Sequence, residues 1–413
     1  MDARDFTPAL AQWLGDLTRD LDARRRDHNW RTLPLVASRS EPVMTINGKS
    51  CVQFCSNNYL GLAADPRVID AARRGLDVWG VGAGASRLVA GNSAPHEKLE
   101  ADLARLKNQP AALIFSSGFT ANLACLKTFA SRADAIFSDK LNHASLLDAA
   151  AASGARHRTF PHLHYGRLEM LLAEKSPVTD EKAPAEKARA FIVSDTVFSM
   201  DGDICSTPAI CALARRYGAL VMLDEAHATG VLGVDGAGVA AMQNTDAQVA
   251  ITVGTLSKAL GSIGGFVAGP RPVIDSLINR GRSLIYTTAL PAVCVLAAQA
   301  ALDISRAEPW RRQRVCQLAT HLHSALTQLG FDCGPSATPI IPVMLGTSQA
   351  AMSAAAALAD IGIWVPAIRP PTVRPNSARL RISLMATHTD EQISRLIEAM
   401  GNIRTRLAAT SGI

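Results

Sequence analysis

The sequence predicts an α/β fold: a largely parallel central sheet with helices on both faces, plus a smaller α+β C-terminal domain. Three observations carry this. Short apolar, β-type runs alternate with helical stretches along most of the chain. An acid, Asp224, stands directly after one such run, Ala219–Leu223, at a strand end where open α/β sheets place ligands. The 413 residues, 48% of them hydrophobic, suffice for a large core, in two domains or one with appendages.

The elements follow in order. The start, MDARDFTPAL, is charged and lacks the apolar core of a secretory signal. Residues 43–55 read as a hairpin: VMTI, then Asn47-Gly48 as the turn, then CVQF. A helix is expected from Ala94 to Lys107, with Leu99, Leu103 and Leu106 on one face and Pro95 in its first turn. Strands are expected at Ala111–Phe115, Ala135–Ser138, Ala190–Asp195, Ala219–Leu223, Gln248–Val253 and Phe266–Ala268. SPVTDEKAPAEKARA, at 176–190, has the composition of a solvated surface insertion. Pro342–Leu345, Ile363–Pro366 and Arg379–Leu384 supply later strands. The expected divisions are an N-terminal segment over 1–58, a large domain over 59–305 and a small domain over 306–413.

Composition excludes several classes. Net charge is +6, yet the basic residues are scattered or in short clusters such as Arg24-Arg25-Arg26, and aromatics are only 5%, so nucleic acid is not an expected partner. Part of that charge suits steering of an anionic substrate. The longest apolar stretch, Ala289 to Ile304, is interrupted by Gln299 and Asp303 and is too short to span a bilayer, so no membrane segment is expected. The eight cysteines lack paired metal spacing and read as reduced thiols of a cytoplasmic protein. His157, His162 and His164 have no carboxylate or cysteine at ligand spacing, which predicts a surface loop and no metal. NGKS at 47–50 half-matches a P-loop, but that motif needs glycine where Val43 stands and a helix where the hairpin lies. GVGAGAS is only weakly Rossmann-like, and DEAH also spells a helicase motif.

The informative residues are five. Lys258 lies in GTLSKALGSIGG (254–265), at a strand end on tight backbone, and the chain uses only arginine for positive charge after it. Such a place suits an amine that sheds its proton and acts as a nucleophile. Asp224 and His227, in DEAH after the run Ala219–Leu223, can face one pocket as the strand breaks; a buried aspartate there needs a cation. His143, just before a helical run, is free to stack on a flat ring. Gly118 opens a helix after Ala111–Phe115, where free N–H groups bind phosphate. Amine, acid for a ring nitrogen, stacking histidine and phosphate cradle together describe pyridoxal phosphate.

These residues, with SNNYLGLA (56–63), GASRLVAGN (84–92), SSGFTANL (116–123), NHASLLDA (142–149), FSMDGD (198–203), LDEAHATGVLG (223–233), GTLSKALG (254–261) and PPTVRPNSARLRISL (370–384), resemble the α-oxoamine synthases among the fold-type I pyridoxal-phosphate-dependent transferases. The resemblance implies that Lys258 holds pyridoxal 5′-phosphate and then moves protons, that Asp224 keeps the ring nitrogen protonated, and that His143 stacks on the ring. It implies His227 and Ser199 at the ring hydroxyl, and Gly118, Phe119 and Thr255 at the phosphate. The family usually has tyrosine where Phe119 stands; a backbone contact survives that change and a hydroxyl contact does not. Asn57 and Arg369 match positions that meet the amino acid, Arg369 suiting a carboxylate. Arg31 matches less securely, with a surface arginine as the alternative, and Thr372 falls on the substrate side.

The implied reaction is a decarboxylative condensation of an amino acid with an acyl thioester. AIRPPTV, at 367–373, points within the family to the biotin-pathway branch, hence to L-alanine and a pimeloyl thioester on coenzyme A or acyl carrier protein. A glycine-using sister synthase, an aminotransferase of the same fold and a non-catalytic binding module remain as alternatives. The family also implies a homodimer, with GAGASRLVAG (82–91) and SLIYTTALP (283–291) at the interface and Thr287 and Thr288 reaching the neighbouring chain's phosphate. The alternative for these threonines is capping of the helix after Pro291.

Overall fold

The structure, a computed structural model, describes residues 7–174 and 188–411. The expected insertion over 176–190 therefore lies almost wholly outside the described residues. A helix, Pro8–Arg26, comes first and is followed by a hairpin of β1 (Val43–Ile46) and β2 (Lys49–Gln53). Asn47 and Gly48 both take positive φ, 50° and 77°, as a two-residue I′ turn demands and this pair of residues permits.

Seven strands build the central sheet: β3 (Ala111–Phe115), β4 (Ala135–Asp139), β5 (Arg156–Phe160), β6 (Ala190–Asp195), β7 (Ala219–Asp224), β8 (Ile251–Thr255) and β9 (Gly265–Gly269). Their order across it is β3-β9-β8-β7-β6-β4-β5. All neighbours from β8 to β5 pair in parallel, whereas β9 is antiparallel to both β3 and β8. Alternate residues go to opposite faces. Val193, Met222 and Val253 pack against Leu126, Leu146 and Leu277 of the helices Gly118–Phe129, Ala144–Ser153 and Arg271–Arg280. Ile192, Val221 and Leu223 pack against Leu168, Leu172 and Ile210 of the helices Tyr165–Ala173 and Thr207–Tyr217. Each such side chain contributes about 1.5–3 kcal/mol through burial.

Four strands follow: β10 (Ile340–Gly346), β11 (Ile363–Trp364), β12 (Ala367–Ile368) and β13 (Ala378–Ser383). β10, β13 and β12 form an antiparallel sheet, and β11 joins the N-terminal hairpin by pairing in parallel with β2. The two ends of the chain thus share a sheet.

Some expectations need correction. The strand expected at Gln248–Val253 begins at Ile251, where pairing with Met222 starts; Asp246–Gln248 is a 3-10 turn. The strand expected at Ile363–Pro366 stops at Trp364; after Pro366, which has no N–H to donate, Ala367–Ile368 joins a different sheet. Arg156–Phe160 is an edge strand, so His157 is not in a loop: its ring lies 2.7 Å from the Ser138 hydroxyl. His162 and His164 do lie in the turn between β5 and the helix Tyr165–Ala173, with His162 half-buried between two aspartates. No metal-holding group of His, Cys, Asp or Glu occurs among the described residues, nor any helix long and apolar enough to cross a membrane.

Candidate active site

The expected residues collect at the carboxyl edge of the parallel strands. Gly118 and Phe119 follow β3, His143 follows β4, Ser199 follows β6, His227 follows Asp224 at the end of β7, and Lys258 follows Thr255 at the end of β8.

The anion cradle begins at the helix Gly118–Phe129. Ser117 and Thr120 cap one another, the Ser117 hydroxyl accepting from Thr120 N–H at 3.1 Å and the Thr120 hydroxyl from Ser117 N–H at 3.0 Å. The first-turn N–H groups of Gly118 and Phe119 have no acceptor among the described residues. A Cβ on Gly118 would lie 3.8 Å from Thr255, so helix start and strand end adjoin. The Thr255 hydroxyl lies 2.7 Å from that of Ser257 and donates to Gly264 O at 2.8 Å. Half-exposed Phe119 offers only its backbone, as its lack of a hydroxyl requires.

Asp224 is buried and accepts from the Asn122 amide at 2.6 Å and from Ala226 N–H at 2.8 Å. Beside it in register lies Asp195, whose carboxylate accepts from the His143 N–H at 2.5 Å. Burial, then the neighbouring Asp224 charge, pushes the Asp195 carboxyl well above the usual range. Burial lowers the Lys258 ammonium; Asp224 and Asp195 hold it up, and Arg381 opposes them. The amine thus holds its proton less tightly than an ordinary lysine, in the field of two carboxylates. His143 caps the helix Ala144–Ser153, its Nδ1 accepting from Ser145 N–H at 3.2 Å, while its ring remains exposed. Burial and the Lys258 charge lower its imidazolium, against the pull of Asp224.

A second network covers the opposite side. His227 Nδ1 lies 2.7 Å from the Tyr59 hydroxyl, which also reaches Asn57 Oδ1 at 3.2 Å. Arg381, on β13, donates to Asn57 Oδ1 at 3.2 Å, to the Ser383 hydroxyl at 2.7 Å and to the Ser199 carbonyl. Burial, with the Lys258, Arg381 and His143 charges, holds His227 neutral, far below its ordinary value. Burial also pushes the Tyr59 phenol up to about 12.

Arg31, Arg369 and Thr372 form a third group. Arg31 donates to the Thr372 hydroxyl at 3.0 Å, and Arg369 donates to the His28 and Trp30 carbonyls at 2.6 and 3.2 Å. Arg369 Nε is buried with no hydrogen-bond partner. Burial and the Arg31 charge lower the Arg369 guanidinium. Neither arginine has a carboxylate partner among the described residues; their hydrogen bonds go to a hydroxyl and to backbone carbonyls. Thr288 is exposed and makes no hydrogen bond within the described chain; the helix after Pro291 has no side-chain cap, so the capping alternative fails.

The donor set fits pyridoxal phosphate: N–H groups and hydroxyls for a phosphate, and buried carboxylates that outnumber the one amine they act on and would be balanced by a cationic ring nitrogen. Asn122, Asp195, Tyr59 and Arg381 are site residues that motif reading missed. Residues 49–400 match the model of the family "Aminotransferase class I and II". An 8-amino-7-oxononanoate synthase of Stutzerimonas stutzeri (strain A1501) is 44% identical over 386 residues, 93% of this chain and 96% of its own. The chain belongs to the α-oxoamine synthases of the class I and II aminotransferase family. Among solved structures, the α-oxoamine synthase fold is matched by SPT with PLP internal aldimine, at TM-score 0.88 and 28% identity over 98% of this chain and 100% of that one. The 8-amino-7-oxononanoate synthase of Francisella tularensis matches at TM-score 0.73 and 28% identity, over 87% of this chain and 99% of that one.

Proposed function

We propose that this chain condenses L-alanine with a pimeloyl thioester, on coenzyme A or acyl carrier protein. The products are 8-amino-7-oxononanoate, carbon dioxide and the free thiol, in biotin biosynthesis. The observation that carries the reading is the Lys258 amine, its proton affinity lowered by burial and held up by the Asp224 and Asp195 charges, in a chain 44% identical to a synthase of that name.

Bound pyridoxal 5′-phosphate supplies the electron sink for charge that develops at the α-carbon. The Gly118 and Phe119 N–H groups and the Thr255 hydroxyl hold its phosphate. Asp224, fixed by Asn122, would keep a proton on the ring nitrogen, and His143, open to solvent at the site, would hold the pyridine ring. Neutral His227, fixed by Tyr59, and Ser199 meet the ring hydroxyl. Arg369 takes the amino-acid carboxylate with Asn57 nearby, and Arg31 and Thr372 line the thioester side. The α-proton passes to Lys258 Nζ, the α-carbon bonds to the thioester carbonyl carbon as the thiol leaves, and the original carboxyl group departs as carbon dioxide. Lys258 then returns a proton.

The same reading makes the enzyme a cytoplasmic homodimer, Thr288 reaching the phosphate held by the other subunit. Val81, Val89 and Tyr286 support this, being 80%, 80% and 72% exposed on segments joined by the Ala289 N–H to Ala85 O hydrogen bond. Apolar exposure of that kind suits an interface above roughly 2,000 Å². The test is spectral and chemical. Purified protein should show a near-visible absorbance band that Lys258→Ala abolishes. Carbon dioxide release should be greatest with alanine and a pimeloyl thioester. A band that persists in the variant, or release only with glycine, overturns the assignment.

A further inference from the structure

His162 has no part in the chemistry above, yet its surroundings are unusual for a histidine near a surface. Nδ1 lies 3.0 Å from Asp139 Oδ1 and Nε2 lies 2.6 Å from Asp203 Oδ2. An ionised carboxylate only accepts hydrogen bonds, and a neutral imidazole carries one N–H. A neutral ring would therefore set a bare lone pair against one of the two carboxylates. Holding both contacts takes the imidazolium. The Asp139 and Asp203 side chains are buried, and the ring packs edge-on against Phe198 with centroids 4.4 Å apart.

Each aspartate anchors a turn that carries a site residue. Asp139 ends β4 and also accepts from Leu141 N–H and Leu163 N–H, both at 2.8 Å, so it orders the turn that leads to His143. Asp203 closes the FSMDGD turn, its carbonyl accepting from Phe198 N–H at 3.1 Å. The other side of that turn is gripped by β13, with Arg379 bound to Asp201 and Arg381 to the Ser199 carbonyl. Gly202 sits at φ 71° in close contact with Ile340 O, where no side chain fits. His162 is thus a side-chain link from the His143 turn to the Ser199 turn, beside the tie that Asp195 makes to the His143 N–H.

We propose that His162 is a positioning residue that stands doubly protonated in the folded protein and fixes the turns bearing His143 and Ser199 relative to each other. Its catalytic consequence rests on the roles given to those two residues above; its protonation does not. The other titratable groups packed nearby are Tyr165 and Cys205, both pushed up by burial and hence neutral, so the two aspartates set the local charge. Burial alone would lower the imidazolium, but the hydrogen bonds to Asp139 and Asp203 carry it up to about 9. The folded value lies above the unfolded one of about 6.5, so the clamp is complete below that pH and is lost as pH rises through the folded value.

Nitrogen-15 NMR of histidine-labelled full-length protein, with His162 assigned by its loss in His162→Phe, reads this directly. Both ring nitrogens should be protonated at neutral pH, with a midpoint near 9; a midpoint below 7 overturns the proposal. His162→Phe, which keeps a planar ring and removes both donors, should weaken pyridoxal 5′-phosphate binding about ten-fold or more by absorbance titration, and His162→Lys should recover part of that. Asp203→Asn should lower the His162 midpoint by about a unit and weaken cofactor binding as well. Undiminished cofactor affinity in either folded variant overturns the positioning role. Failure of the unsubstituted protein to bind the cofactor would instead sink the functional reading and leave the NMR result standing.

Discussion

Asp195 and Asp224 are register partners at the carboxyl ends of the parallel strands β6 and β7, and both side chains are buried. Asp224 is bound by Asn122 and Ala226, Asp195 by the His143 N–H, and the Lys258 charge opposes both. Two carboxylates this close do not both ionise easily, and the strain falls on Asp195, which burial and Asp224 push well up.

Asp195→Asn should therefore stabilise the cofactor-free protein at neutral pH. A carboxyl whose folded value exceeds its unfolded one binds its proton more tightly when folded. Its favourable contribution is complete below the unfolded value, about 3.9, and is lost as pH climbs through the raised one. The amide keeps an acceptor for the His143 N–H and removes the charge. A gain on the order of 1–2 kcal/mol is expected, vanishing toward pH 4. Thermal melts of both proteins across that range check it; equal melting temperatures at every pH would refute the strained pair.

Gly118 makes a cleaner test of the cradle than any hydroxyl. A Cβ there meets Thr255 only at ordinary contact distance, so Gly118→Ala should fold and melt as the parent does. The methyl group nevertheless occupies the helix start where a phosphate must come within hydrogen-bond reach. Loss of one charge-assisted hydrogen bond, about 1.5–3 kcal/mol, corresponds to cofactor affinity falling roughly ten- to a hundred-fold. Titration of the near-visible band measures this. Unchanged affinity would place the phosphate elsewhere. Gly265 is the contrast, since a Cβ there would meet Gly118 N at 2.4 Å and disturb the backbone itself.

Asp224 was legible because an acid directly after an apolar run is itself the signal, Lys258 because it stands among glycines past a strand end, and His143 because it precedes a helical run. Asp195 stands at such a strand end too, but with no DEAH-like string around it the residue reads as part of its strand. Arg381 was hidden differently: in ARLRISL its alternation suggests a half-exposed strand, whereas every residue of β13 is buried and both its arginines are spent on the FSMDGD turn. Nor does an apolar run encode direction, so the antiparallel placement of β9 had no sequence signal. β5 was missed because RHRTF is an edge strand whose polar residues face outward. The aspartates beside His162 come from β4 and from the FSMDGD turn, both remote in sequence, and no spacing rule could have paired them with it.

Arg369 and Arg31 yield the sharpest kinetic expectation. Arg369 spends one nitrogen on the His28 and Trp30 carbonyls and keeps Nε buried without a partner, beside a second guanidinium that lowers its proton affinity. An orphaned charged donor is costly in the empty site, and a substrate carboxylate removes that cost. Arg369→Ala should raise the KM for the amino acid about ten- to a hundred-fold, the worth of a charged hydrogen bond, with a smaller change in kcat. Arg369→Lys should recover only part, because an ammonium cannot reproduce the planar fork. Arg31→Ala, which frees Thr372, should act on the KM for the acyl thioester instead. Steady-state kinetics with each substrate varied in turn separates the two. An amino-acid KM unmoved by Arg369→Ala would remove Arg369 from the substrate site and leave the buried Nε without an explanation.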